Sequence, residues 1–195
     1  MNYDTILEQM KIEGSPIPQR RNVFKIPNAK QELKDALDVV GKTIGETIEW
    51  IPEYDRVAEW LEDTKGRGLF LYGNIGRGKS LLVKYAIPMI FRLRMNRIFT
   101  IVDCYAPVDN LDDIVRRKFI TLDDVGRDNS MKIYGTQRDV VSEVISKAHE
   151  SRDMTLLISS NLGPDELISK YGDRILDRIK YLCFRVAFNG PSLRR

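Results

Sequence analysis

Gly73, Gly78, Lys79 and Ser80 follow the spacing G-x-x-x-x-G-K-[ST] within the stretch LFLYGNIGRGKS, with a further glycine, Gly76, between them. That pattern suits the grip of a polyphosphate. Glycines let the backbone wrap the anion so that successive N–H groups point inward, and a helix starting at Lys79 adds a partial positive charge at its N-terminus. On this reading the loop through Gly73, Asn74, Ile75, Gly76, Arg77, Gly78, Lys79, Ser80 and Leu81 binds ATP. Lys79 reaches the β- and γ-phosphates, and the Ser80 hydroxyl ligates Mg²⁺. An ordinary glycine-rich turn with a surface lysine would require neither the apolar strand before the motif nor the helix after it.

A nucleotide site also needs a carboxylate near the metal, and FITLDD supplies two, at Asp123 and Asp124. A strand ending in two acids places Asp123 to hold Mg²⁺ through water and Asp124 to orient the attacking water. Many such ATPases carry glutamate at the second position, so the shorter arm of Asp124 predicts slow hydrolysis. A third apolar run, TLLISSNL, ends at Asn161. Asn161 is placed either to bridge the γ-phosphate and the attacking water or to cap the next helix in a turn with Gly163 and Pro164.

These motifs need a frame that brings distant strand ends together. From Gly68 onward apolar runs alternate with helical periodicity, which predicts an α/β fold with a mostly parallel sheet covered on both faces. Strands are expected over 69–72, 98–102, 119–122, 155–159 and 183–188. Helices are expected over 79–91, part of 109–117, 136–151, 164–170 and 173–180. Upstream, helical spacing covers 3–13, 30–40 and 53–63, and Pro16 and Pro18 break the first from the second. Residues 1–45 therefore read as an arm with short helices, and 46–195 as the nucleotide-binding domain.

The chain has 195 residues, 43% of them hydrophobic and 30% charged, which suits one compact core rather than a disordered or fibrous chain. A net charge of +3 is too small to name a partner. Cys104 and Cys183 fall on apparent strands and read as reduced, buried side chains in a cytoplasmic protein rather than a disulfide framework. No run is apolar for long enough to span a bilayer, and the N-terminus has no basic segment followed by an apolar one.

The phosphate loop, FITLDDVG, TLLISSNL and YGDRILDRI occur in the order found in the AAA+ ATPases of the DnaC/DnaI helicase-loader and IstB transposition-helper group, which the chain resembles from Glu53 onward. The resemblance implies an AAA+ P-loop fold with a parallel five-stranded sheet. It also implies that Arg178, in GDRILDR, acts as a finger on nucleotide held by a neighbouring copy, with Arg174 as a supporting cation. The guanidinium would neutralise charge developing at the γ-phosphate, so turnover would depend on self-association. Otherwise Arg174 and Arg178 simply pair with Asp173 and Asp177 on a solvated helix face.

By the same resemblance the partner is a replicative DNA helicase, with single-stranded DNA as a further ligand. Alternatives are a transposase as partner, a small-molecule kinase built on the same loop, and a nucleotide-gated adaptor with negligible hydrolysis. Two features depart from the group. Only residues 104–118 separate the second strand from the acidic one, roughly two or three helical turns at most, where family members have a longer DNA-holding region. The N-terminal arm is also short, and its helix either docks its apolar face in a partner's groove or folds back on its own domain. Residues after Arg178 supply a strand and a tail but no helical lid, which leaves adenine to residues 48–54.

Several residues read more simply. Arg92, Arg94, Arg97, Arg116, Arg117 and Lys118 are expected to be solvated rather than to line a DNA path. His149 reads as a surface residue near a helix end, and Trp50 and Trp60 as packing residues.

Overall fold

The computed structural model describes residues 2–15, 17, 20–108, 110–127, 131–133 and 136–194. Five strands form one parallel sheet: β1 (Gly68–Gly73), β2 (Thr100–Asp103), β3 (Phe119–Val125), β6 (Thr155–Ser160) and β7 (Cys183–Phe188). Their spatial order is β2-β3-β6-β1-β7, which puts the strand that carries the phosphate loop between β6 and β7. Leu69, Phe70 and Leu71 in β1 and Leu156, Leu157 and Ile158 in β6 are all buried. Continuous apolar runs of this kind are what a parallel strand covered on both faces requires.

Helices cover both faces. On one side α2 (Ala29–Ile44), α3 (Pro52–Glu62) and α5 (Ile87–Met95) enclose a core containing Leu33, Leu37, Val57, Trp60, Leu61, Ile90 and Phe91. Trp60 stacks on Phe91 with ring centroids 6.2 Å apart, and its indole N–H donates to the Arg67 carbonyl. On the other side α7 (Val140–Ser151), α8 (Pro164–Tyr171) and α9 (Asp173–Leu182) contribute Val141, Val144, Ile145, Leu167, Ile175 and Ile179. The result is the three-layer arrangement expected from alternating strands and helices. The segment α2, expected to belong with the arm, shares the core of α3.

The helix after the phosphate loop runs from Lys79 to Met95 in three parts: α4 (Lys79–Leu81), a π-helical turn (Leu82–Ala86) and α5. Pro88 sits in the first turn of α5 and has no N–H to give the preceding turn. The wider turn just upstream lets the helix pass this gap without ending.

Several boundaries differ from expectation. The strand expected over 98–102 is Thr100–Asp103, because Asn96 takes a left-handed conformation that ends α5 and Ile98 stays exposed. Cys104 consequently lies one residue past β2, though it is buried, and its N–H donates to the Asp123 carbonyl. The helix expected over 136–151 begins at Val140, where the Asp139 carboxylate accepts from the N–H groups of Val141 and Ser142. Ahead of it, β4 (Met131–Ile133) and β5 (Thr136–Arg138) pair as an antiparallel ribbon that was not anticipated. Of the helix expected within 109–117, only α6 (Leu111–Ile114) is formed, and Asp109 lies outside the described residues. Pro16, Pro18, Gln19 and Arg195 also lie outside them.

The helix α1 (Tyr3–Ile12) is capped by Asn2 and buries none of its residues. Among the described residues, no helix is long and apolar enough to cross a membrane.

Candidate functional site

The loop leaves β1 at Gly73, turns through Gly76 and Gly78 with positive φ, and enters α4 at Lys79. A glycine is required at Gly78. Its φ is +81°, and a Cβ there would stand 2.3 Å from the Tyr54 hydroxyl. Tyr54 itself is fully buried on α3, beside Trp50 and Phe188. It therefore forms the floor of the loop within the 48–54 stretch expected to face adenine.

Lys79 is 5% exposed, and its Nζ donates to the carbonyls of Gly73 at 2.9 Å and Asn74 at 2.7 Å. Burial pushes its pKa down to about 8. The nearby Asp124 and Asp123 oppose that fall, whereas Arg194 adds to it. A polyphosphate entering the loop would restore the missing negative charge and favour the ammonium form. Ser80 and Leu81 occupy the first turn of α4, where a helix N-terminus and a hydroxyl meet. Asn74 and Ile75 are exposed, and Arg77 is buried in an ion pair with Glu53 at 2.5 Å.

The acids stand at the tip of β3, at the same edge of the sheet. Asp123 is 3% exposed and accepts a hydrogen bond from the Ser159 hydroxyl at 2.5 Å. The same hydroxyl accepts from the Asp124 N–H at 2.9 Å, so one serine of β6 fixes both acids. The register between β3 and β6 shifts between Leu122 and Val125, and Asp124 at this irregularity adopts φ +58°. A bulge next to a strand end re-aims a side chain, and aspartate tolerates the left-handed conformation better than most residues.

Asp124 then accepts from the Asn161 amide at 2.9 Å and lies 3.3 Å from Arg127. Turn and cap duties around Asn161 fall to neighbours. The Leu162 N–H donates to the Ser160 hydroxyl, and the Gly163 N–H to Glu166. The Asn161 side chain is thereby turned to the acidic pair rather than to α8.

Lys84, five residues after Lys79, donates to Asp103 at the end of β2 at 2.5 Å and stands 3.7 Å from Asp123. Burial works against its charge, but the Asp103 hydrogen bond and the two carboxylates more than offset this and hold its pKa above the ordinary lysine value. Lys84, Asp103 and Ser159 were not singled out from sequence. The signals available were a lysine one turn and a half past the motif, the aspartate ending a strand, and the serine pair before Asn161. The Ser80 hydroxyl and the Asp123 carboxylate are oxygen donors of the kind a hard divalent cation such as Mg²⁺ takes.

The GDRILDR element forms the start of α9. Arg174 is exposed, whereas Arg178 is 9% exposed and donates to the Ser146 hydroxyl of α7. Among the described residues neither arginine is ion-paired with Asp173 or Asp177. The basic residues on the periphery are engaged locally: Arg94 with Glu32, Lys118 with Asp153 and Arg97 over Phe119. His149 lies against Tyr181. Cys104 and Cys183 are both buried and not joined in a disulfide, and burial pushes the Cys183 thiol up to about 12.

Phosphate loop, acidic tip and polar tip thus converge at the C-terminal ends of β1, β3 and β6, where parallel α/β sheets bind ligands. No family model matches the chain. The replicative helicase loader DnaI of Bacillus subtilis (strain 168) is 25% identical over an alignment covering 72% of this chain and 51% of that protein. The chain therefore spans about half the length of this curated relative. Among solved structures, a candidate primosome component from Streptococcus pyogenes serotype M3 superposes with a TM-score of 0.57 at 18% identity, covering 88% of this chain and 93% of that one. The DnaC helicase loader superposes at 0.58 with 17% identity, covering 81% and 99% respectively. In the order of its motifs the chain is similar to the DnaI helicase loader, and in its fold it is similar to the DnaC helicase loader.

Proposed function

We propose that this chain is an ATP-dependent helicase loader: it binds ATP with Mg²⁺, hydrolyses it slowly, and uses the nucleotide to govern self-association and its hold on a replicative DNA helicase in the cytoplasm. The observation that carries the nucleotide reading is the convergence of Lys79, Asp123, Asp124 and Asn161 at one sheet edge. The loader reading rests on the likeness to DnaI.

Lys79 and the loop N–H groups would bind the phosphates, with Ser80 and Asp123 holding the metal, which would supply charge neutralisation at the β- and γ-oxygens. Asp124 would position the attacking water. Its carboxylate is short and shared with Asn161 and Arg127, which supports slow turnover suited to a timer. Asn161, bonded to that carboxylate, would report whether the γ-phosphate is present. Arg178 would complete a neighbour's site. Self-association, single-stranded DNA and the helicase are the partners of this reading.

The test is nucleotide binding by Lys79→Ala, followed by sizing of the protein with ATP and single-stranded DNA, with and without a replicative helicase. Loss of ATP binding together with ATP-dependent co-elution with the helicase is expected; unchanged binding by the variant would refute the site. The engagement of Asp124 also favours a second reading, an adaptor gated by ATP with negligible hydrolysis. ATP binding without phosphate release would select it.

A further inference from the structure

Residues 189–194, which follow β7, lie along the phosphate loop and are tied to it repeatedly. The Asn74 N–H donates to the Phe188 carbonyl at 2.7 Å, and the Asn74 amide donates to the carbonyls of Asn189 at 3.0 Å and Gly190 at 2.9 Å. Arg77 donates to the Pro191 carbonyl at 3.1 Å while its other nitrogen holds Glu53. The Leu193 N–H donates to the Gly76 carbonyl at 2.9 Å. The contact at Gly76 is close, since a Cβ there would lie 2.2 Å from the Ser192 hydroxyl and 3.5 Å from Arg194 Cγ.

Three of the four variable positions of the loop motif, Asn74, Ile75 and Arg77, could have been any residue for phosphate wrapping alone. Two of them are spent on this segment. Arg77 in particular joins the start of α3, the loop and residue 191 in one buried contact. The segment ends with Arg194 exposed beside the loop, and among the described residues it has no carboxylate partner. A guanidinium held without a partner next to a polyphosphate site is placed to form charge-assisted, bidentate contacts with phosphate oxygens.

We propose that residues 189–194 form a strap on the phosphate loop that presents Arg194 to the triphosphate bound by the same chain. The inference rests on the nucleotide reading above and deepens it: the site draws a cation from its own strap as well as Lys79. The preference should be for ATP over ADP, because an added cation gains most from the ligand with the greater charge.

The test is titration of the full-length protein with fluorescent ATP and ADP in the presence of Mg²⁺, at low and high salt. Arg194→Ala should weaken ATP by about tenfold, the effect of one charge-assisted hydrogen bond. It should weaken ADP less and flatten the salt dependence of ATP affinity. Arg194→Lys should recover part of the loss. Leu193→Pro, which removes the donor to Gly76, should shift ATP affinity in the same direction. Wild-type affinity and salt dependence in Arg194→Ala, with binding still abolished by Lys79→Ala, would overturn the strap and leave the site standing. Failure of the wild-type protein to bind ATP would overturn both.

Discussion

Ser159 is the residue on which the acidic pair depends. Its hydroxyl donates to Asp123 and accepts from the Asp124 backbone, so its loss would free both acids without touching the phosphate loop. Ser159→Ala should lower the hydrolysis rate by roughly 10- to 100-fold, as seen for residues that orient metal ligands, with ATP affinity near wild type in a filter-binding assay. Lys79 gives a pH prediction. Its folded pKa of about 8 lies below that of an exposed lysine, so the folded chain sheds this proton first as the pH rises. ATP affinity should therefore fall as the pH climbs past about 8. In the same range the burden of a charged Lys79 on the fold is relieved, so thermal stability should not fall for this reason. Affinity titrations and melting curves across that range check both signs. Lys79 could be read from sequence by the spacing of its loop, and Asp123, Asp124 and Asn161 because each sits at the end of an apolar run. Lys84 and Ser159 could not, since their roles arise from side chains meeting across elements that sequence spacing does not relate.

The positions of the elements were legible and several of their ends were not. Apolar runs located all five parallel strands, most plainly β1, β3 and β6, which are flanked on both sides and covered on both faces. The ribbon of β4 and β5 escaped notice because three-residue strands carry no usable periodicity. Helix α7 was expected four residues early because its start is set by one side chain, that of Asp139. Asp139→Ala should cost about 1 kcal/mol of stability by chemical denaturation, the usual value of a lost N-cap. At the junction of β1 and α4, Gly78→Ala should cost about 2 kcal/mol, since the added methyl meets both a left-handed backbone and the Tyr54 hydroxyl. The floor of the loop thus belongs to α3, through Tyr54 at the end of the 48–54 stretch expected to face adenine.

At the scale of the whole molecule, the proposed self-association turns on which arginine one copy can present to the next. The buried seat of Arg178 against Ser146 means that a finger at this position must first leave α7, whereas Arg174 one turn earlier already faces solvent. Arg178→Ala should keep ATP binding and lose the part of the hydrolysis rate that rises with protein concentration. The same variant at Arg174 tests whether the exposed residue shares the task; a rate per molecule that is flat with concentration in the wild type would reject assembly-dependent turnover altogether. The fold class followed from strand and helix alternation, but this packing of α9 on α7 did not, because its amphipathic face reveals burial without naming the surface it covers.

The strand that carries the phosphate loop has neighbours on both sides, whereas β7 and β2 lie at the near and far rims, β2 three strands away. Fraying from the far rim can melt β2 while the amides of Leu69 to Tyr72 remain locked by β6 and β7. Hydrogen–deuterium exchange should find those amides slower than the amides of β2, so the seat of the phosphates would outlast the loosening of that rim.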